Sequence, residues 1–402
     1  MIGKTIGALL AMYFLVGRWS FDRLDGGIDT ESLPLQPRVW IIGLLAAIVF
    51  VVRRRQTPDG IRAGSSPIDF AVCLFFCYML VTAVWAPDHE LAIDKATELV
   101  MLLVVALVIG ASRDSLSHNE IQDGFWLAIV VAGAAMASLA ILSGTGGRVY
   151  MPSGGPNTFG RNMGLMGLGA AYLLGRCGTA AKPVCVALMI VAMLLVLMSG
   201  SRGGLLATCV GALALLVTAR QSMGSKVAAV GALALIGMVI LLNTSGGKNA
   251  REVFEDRIVE QTFQQRYLAG RDDLWLDAVD WIQERPWFGL GLNGYRANSW
   301  TYPHNIFLEV TVEGGIVGLL LLLNITRVGW TQLKMVRFRV PRAPLAALAL
   351  LTASAQSSGD LFDSRGIFLL IALIAPATVV ARHSIPRRPK LTPGVQRGAT
   401  PC

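Results

Sequence analysis

The chain has 402 residues, 54% of them hydrophobic and only 15% charged, with a mean hydropathy of +0.57. Soluble globular domains carry about 25% charged residues, so this composition excludes an ordinary soluble fold and indicates a polytopic membrane protein. The formal net charge of +9 comes from short basic clusters between apolar runs, not from a basic stripe interleaved with aromatics, which argues against nucleic acid as a partner.

A hydrocarbon core about 30 Å thick takes roughly 20 apolar residues per helix. On that measure the predicted spans are 2–16, 39–52, 68–85, 91–111, 125–142, 159–174, 183–198, 203–219, 227–243, 305–325, 345–357 and 366–381. The expected fold is therefore an all-α membrane helix bundle of about 12 spans. Residues 1–243 hold nine of them, 244–303 form one long polar loop, 304–381 hold the last three, and 382–402 make a tail rich in Pro, Arg and Lys. The first span has the length of a signal sequence but no small-residue cleavage site before Arg18, and it reads as a retained helix. The fourth opens with Asp94, Lys95 and Glu98, whose turns should stand in the interface or face the bundle interior. Four of the six cysteines lie in apolar runs and no pair lies in the long loop, so no disulfide framework is expected.

Lys and Arg set the orientation. With a cytoplasmic N-terminus, Lys4, Arg53 to Arg55, Arg62, Arg113, Arg176, Lys182, Arg220 and Lys226 fall inside, as do the basic residues between Arg327 and Arg342 and those of the tail. The long loop then faces outward. Within it Arg251–Leu268 reads as an amphipathic helix, and Asp272–Gln283 as a second with an apolar stripe of Leu274, Trp275, Ala278, Val279 and Ile282. Arg285-Pro286 ends the second, because the residue before a proline is pushed out of the helical region. Asp272 and Asp273 suit a helix N-terminus better than a metal site. Gly289, Gly291 and Gly294 match the GxGxxG spacing, but no strand precedes them. They read as a turn that returns Arg296 and His304 to the membrane, not as a dinucleotide site.

Some polar residues are out of place for anchoring alone. Arg202, in the turn Ser199-Gly-Ser-Arg-Gly-Gly204, is an outward-facing charge that runs against the topological bias, and its glycines allow a phosphate close approach. Arg161 is a second case of the same kind. His304 follows Pro303 at the start of an apolar run. A neutral imidazole among arginines is what a base for a hydroxyl group requires, since neighbouring cations depress its pKa. Glu309 and Glu313 lie about 140° and 180° around the helix from His304, so they are expected to pair with arginines of other helices and hold the bundle together.

The run HNIFLEVTVEGGIVG, beginning at His304, resembles the signature of the O-antigen ligase and polymerase superfamily. SGSRGG around Arg202, and GRDDLW followed by ERPWFGLGLNGY, are similar to its other recurrent segments. The resemblance implies a glycosyltransferase that moves a glycan from undecaprenyl diphosphate to an acceptor at the periplasmic face of the bacterial inner membrane. Lipid A-core is the acceptor in ligases; polymerases extend a lipid-linked repeat or an exopolysaccharide. It implies roles in catalysis for His304, Arg202 and Arg271, with no nucleotide sugar, cofactor or metal. Arg161, Arg296 and Asn305 are expected to contact substrate. A lipid-linked glycan transporter is the rival class; against it, the polar residues gather at the outer face and no inverted repeat is visible.

Overall fold

In the computed structural model the described residues are 1–17, 36–56, 66–112, 118–143, 148–151, 155–219, 242–256, 270–299, 301–336 and 342–374, with a few positions among 222–239 and 259–260. All regular structure among them is helical. In chain order the helices are α1 (Ile2–Val16), α2 (Pro37–Gln56), α3 (Pro67–Val81, continued by a 3-10 turn to Trp85), α4 (His89–Ser112), α5 (His118–Leu142), α6 (Gly155–Leu174), α7 (Lys182–Met198) and α8 (Arg202–Thr218). Further along the chain come α9 (Ser245–Phe254), α10 (Arg271–Glu284), α11 (Gly294–Ser299), α12 (Ile306–Val336), α13 (Arg342–Ser354) and α14 (Arg365–Ile374).

Among the described residues four stretches are long and apolar enough to cross a membrane: Pro67–Trp85, His118–Leu142, Thr179–Met198 and Ile306–Lys334. Ile2–Val16, Pro37–Val52, Arg202–Thr218, Arg342–Ser354 and Arg365–Ile374 are shorter apolar helices. Four of the twelve expected spans, 68–85, 125–142, 183–198 and 305–325, thus correspond to full-length apolar helices among the described residues. α4 and α6 have the length, but they carry Lys95, Glu98, Arg161 and Asn162 and bury all four inside the bundle. The ninth expected span, 227–243, lies mostly outside the described residues, as does the tail 382–402. The expected helix Arg251–Leu268 is described only in part. The helix there starts earlier, at Ser245, where the Thr244 hydroxyl accepts the Gly247 N–H at 2.9 Å as an N-cap. α10 agrees with the expected second helix and ends at Arg285.

Small residues set the packing, as is usual where helices associate in lipid. A Cβ on Gly204 of α8 would stand 3.3 Å from the Gly160 backbone of α6, and one on Gly211 would stand 2.9 Å from the Leu350 Cβ of α13. α3 and α12 run antiparallel, with Ser66 bonded to Gln332 at one end and the Tyr78 hydroxyl donating to the Gly314 carbonyl towards the other. These registers gather the N-terminal ends of α6, α8, α12 and α14 with the C-terminal ends of α3 and α13 at a single end of the bundle. Phe75, Phe76 and Phe368 pack together in the core beneath it, ring centroids 5.0–6.0 Å apart.

α12 is broken at Gly315, whose φ of 64° and ψ of −166° interrupt the helix. Leu290 N–H donates to the Val312 carbonyl at 2.7 Å and Gly291 N–H to that of Glu313 at 3.0 Å. On the other side of the break, Ile316 and Val317 N–H donate to the Pro286 and Trp287 carbonyls at 2.8 and 3.3 Å. Residues 286–291 thus fill the gap, and each strand of backbone satisfies groups the other leaves open, a condition for irregular backbone at a membrane. The glycines are required by the closeness of the approach: a Cβ on Gly315 would lie 2.2 Å from the Trp287 oxygen, and one on Gly289 2.5 Å from that of Val312. The GxGxxG spacing is accounted for by this insertion. Trp287 and Phe288 beside it stay exposed.

Candidate active site at the polar end of the bundle

The gathered helix ends carry buried charge. Lys95 of α4 points its ammonium at two carboxylates of α12, with Nζ 2.5 Å from Glu309 Oε1 and 2.6 and 2.8 Å from the two oxygens of Glu313. The expectation that these glutamates pair with arginines is corrected: four residues apart, they share one helix face and converge on one lysine. A short distance away Arg38 bonds Glu98 at 3.1 Å. Arg365 donates to the Phe14 carbonyl at 2.5 Å and stands 3.6 Å from the Asp363 carboxylate. The guanidiniums of Arg365 and Arg38 both face the Phe362 ring, 4.9 and 5.0 Å from its centre.

His304 sits above this layer, at the start of the first half of α12. Its φ is 54°, in the left-handed region that non-glycine residues seldom occupy. Three elements hold it there. Asn305 caps α12, its Oδ1 accepting Phe307 and Leu308 N–H at 3.0 and 3.2 Å. Ile306 N–H donates to Ala355 at the end of α13 at 3.0 Å. Trp275 of α10 donates its indole N–H to the Pro303 carbonyl at 2.9 Å. α10 is in turn fixed by the Tyr295 hydroxyl on the Leu274 carbonyl at 2.8 Å and by Trp281 against the Tyr295 ring.

This docking brings Arg271, the first residue of α10, to His304. Burial and then the Arg271 charge hold the imidazole below its ordinary value of 6.5, against opposing pulls from Asp363, Asp360 and the Gly359 backbone. Burial, followed by Arg202, likewise lowers Arg271 below the ordinary arginine range. The three residues therefore form one electrostatic cluster assembled from α8, α10 and the entrance to α12. Arg202 is placed by a tight turn: Gly200 takes a φ of 61°, and the Ser201 hydroxyl accepts Gly204 N–H at 2.9 Å while donating to Asn157 at 2.7 Å. His304 Nδ1 is buried and makes no hydrogen bond.

The other predicted substrate residues are less directly placed. Arg296 reaches the cluster through Tyr302, 5.8 Å from its ring centre, and that ring lies 6.3 Å edge-on from His304. Asn305 has its side-chain oxygen engaged in the cap. Arg161 is buried within α6, donates to the Asp363 carbonyl at 3.2 Å and belongs to the layer beneath. Residues not singled out from sequence include Arg148, whose guanidinium donates to the Ser199 and Gly200 carbonyls at 3.0 and 3.3 Å and so braces the Arg202 turn. Asp360 and Asp363, in the α13–α14 connection, were also missed. Their one signal was acid beside an apolar run, in Asp360-Leu-Phe-Asp363-Ser-Arg365.

The family model described as O-antigen ligase matches residues 186–323. That interval contains Arg202, Arg271, Arg296, His304, Asn305, Glu309 and Glu313, and leaves Arg161 outside. No curated protein matches the chain. The assembled cluster and the match fall on the same segment, and this similarity over about a third of the chain supports the O-antigen ligase and polymerase superfamily.

Proposed function

We propose that the chain is an inverting, metal-independent glycosyltransferase that moves a glycan from undecaprenyl diphosphate to a hydroxyl of lipid A-core at the periplasmic face of the bacterial inner membrane. The observation that carries this reading is the assembly of His304 with Arg271 and Arg202 at one end of the bundle, with the imidazole held below its ordinary pKa by burial and by Arg271. A neutral imidazole can accept a proton, and two half-buried guanidiniums suit a diphosphate, which they bind bidentately. In the step, the acceptor oxygen attacks the anomeric carbon and its proton passes to His304. The bond from that carbon to the phosphate oxygen breaks, and the electron pair leaves on undecaprenyl diphosphate. The leaving group needs charge stabilisation, which Arg202 and Arg271 supply in a partly desolvated site.

The test is transfer in vitro by the purified chain in detergent with a lipid-diphosphate oligosaccharide, with and without lipid A-core. Product formed only when lipid A-core is present supports the ligase. Longer lipid-linked chains formed in its absence would make the protein a polymerase of the same superfamily. No release of undecaprenyl diphosphate with native donor and acceptor would overturn both and favour transport.

A further inference from the structure

The break at Gly315 detaches residues 306–314 from the rest of α12. A nine-residue helix about 14 Å long is not stable alone, so its pose is set by whatever grips it. We propose that Lys95 is a positioning residue for His304, holding this half-helix from α4 through Glu309 and Glu313 and thereby fixing where the imidazole stands. The inference rests on the reading above that His304 is the proton acceptor.

The geometry is specific. An ammonium has three N–H donors, and the Lys95 group makes three short contacts, all to carboxylate oxygens of the half-helix. Its side chain is 2% exposed and those of both glutamates 1%, so water does not compete for them. The glutamates lie five and nine residues after His304, one on each successive turn, so the grip acts along the whole detached segment. The loop that fills the break is tied to the same helix: Asn293, at a φ of 59°, donates to the Leu91 carbonyl of α4 at 2.8 Å. Asp360 acts electrostatically on Lys95, on both glutamates and on His304, which links the clamp to the imidazole through one buried carboxylate.

The experiment uses the full chain labelled with 13C-histidine in detergent. The chain has four histidines, and the His304 signal is the one lost in His304→Ala. Glu309→Gln keeps the Lys95–Glu313 pair and so tests the clamp without dismantling it; Lys95→Arg keeps the charge. Glu309→Gln is expected to move the His304 signal alone and to lower kcat at least tenfold, with KM for the lipid-diphosphate donor within twofold. Lys95→Arg is expected to stay within threefold of wild-type kcat, with Lys95→Met inactive. An unmoved His304 signal together with wild-type turnover in Glu309→Gln and Lys95→Met would overturn the proposal, as would movement of all four signals equally, which would mark a general structural role. If His304→Ala retains full turnover, the function proposed for His304 fails, while the signal in Glu309→Gln still decides whether the clamp sets its position.

Discussion

His304 combines a left-handed backbone, a buried unbonded nitrogen and a neighbouring arginine, and each has a consequence that can be measured. The strained φ is sustained by the cap, the Ala355 bond and the Trp275 bond around it, in keeping with strain that persists only where surrounding structure over-determines it. The lowered pKa means that the folded chain resists protonation more than the unfolded chain does. Stability is accordingly expected to fall as pH drops below 6.5 through the folded-state value, and to be insensitive to this group above 6.5. Transfer should keep its activity below the pH at which a free histidine is half protonated. Arg271→Gln removes a cation that disfavours imidazolium, so the His304 titration, followed by NMR, is expected to move up towards 6.5; movement downward would contradict a cationic influence of Arg271 on the imidazole. Arg202→Ala, Arg271→Ala and His304→Ala are each expected to abolish transfer while membrane insertion is retained, as read by glycan gels and membrane fractionation. Normal glycan from any one of them would remove that residue from the mechanism.

The broken α12 and its plug behave as one element made of two sequence-distant pieces. Gly315 occupies a φ/ψ region open essentially to glycine, and its missing Cβ makes room for the Trp287 carbonyl. Gly315→Ala is expected to cost on the order of 1–3 kcal/mol from the backbone alone, and more from the clash. Gly270, the N-cap of α10, also has a positive φ, 69°, but nothing lies within 4 Å of a Cβ there. Gly270→Ala should cost only about 1–2 kcal/mol. Thermal unfolding in detergent distinguishes the two, and equal losses would show that the 286–291 insertion contributes little. The amphipathic stripe of α10 was legible in the sequence because helical periodicity is local. The docking of that stripe on the first half of α12, through Ala278, Tyr295 and Val312, was not.

Across the molecule, buried charges tie helix ends that the chain order keeps far apart: α2 to α4 through Arg38 and Glu98, α4 to α12 through Lys95, and α1 to α14 through Arg365. Removing one partner of a buried pair typically costs about 3–5 kcal/mol, so Arg38→Ala should be markedly destabilising while touching none of the proposed catalytic groups. Unaltered unfolding of that variant would show the Arg38–Glu98 pair to be dispensable. The sidedness can be tested in a cysteine-free background. With the polar end facing the periplasm, a membrane-impermeant maleimide should label a cysteine at exposed Asp277 in intact cells but not one at Gly178, in the connection at the opposite end. The reverse pattern would invert the orientation.

Composition alone established the helical membrane class, because burying this much apolar surface in lipid leaves the backbone few ways to satisfy its own hydrogen bonds. The motifs around Arg202, Arg271 and His304 were legible too, since charges and a histidine beside apolar runs stand out against their surroundings. What the sequence left open was partnership. Glu309 and Glu313 could be read as buried acids, but that a single lysine 214 residues before Glu309 would take both follows from how α4 and α12 cross. The break at Gly315 was equally hidden, because Gly314-Gly315 is compatible with a continuous helix until a second backbone segment arrives to fill the gap. Local residue chemistry decides what each segment can do, and only the packing of distant segments decides which groups meet, since contact depends on the relative placement of helices and not on any periodicity within one of them.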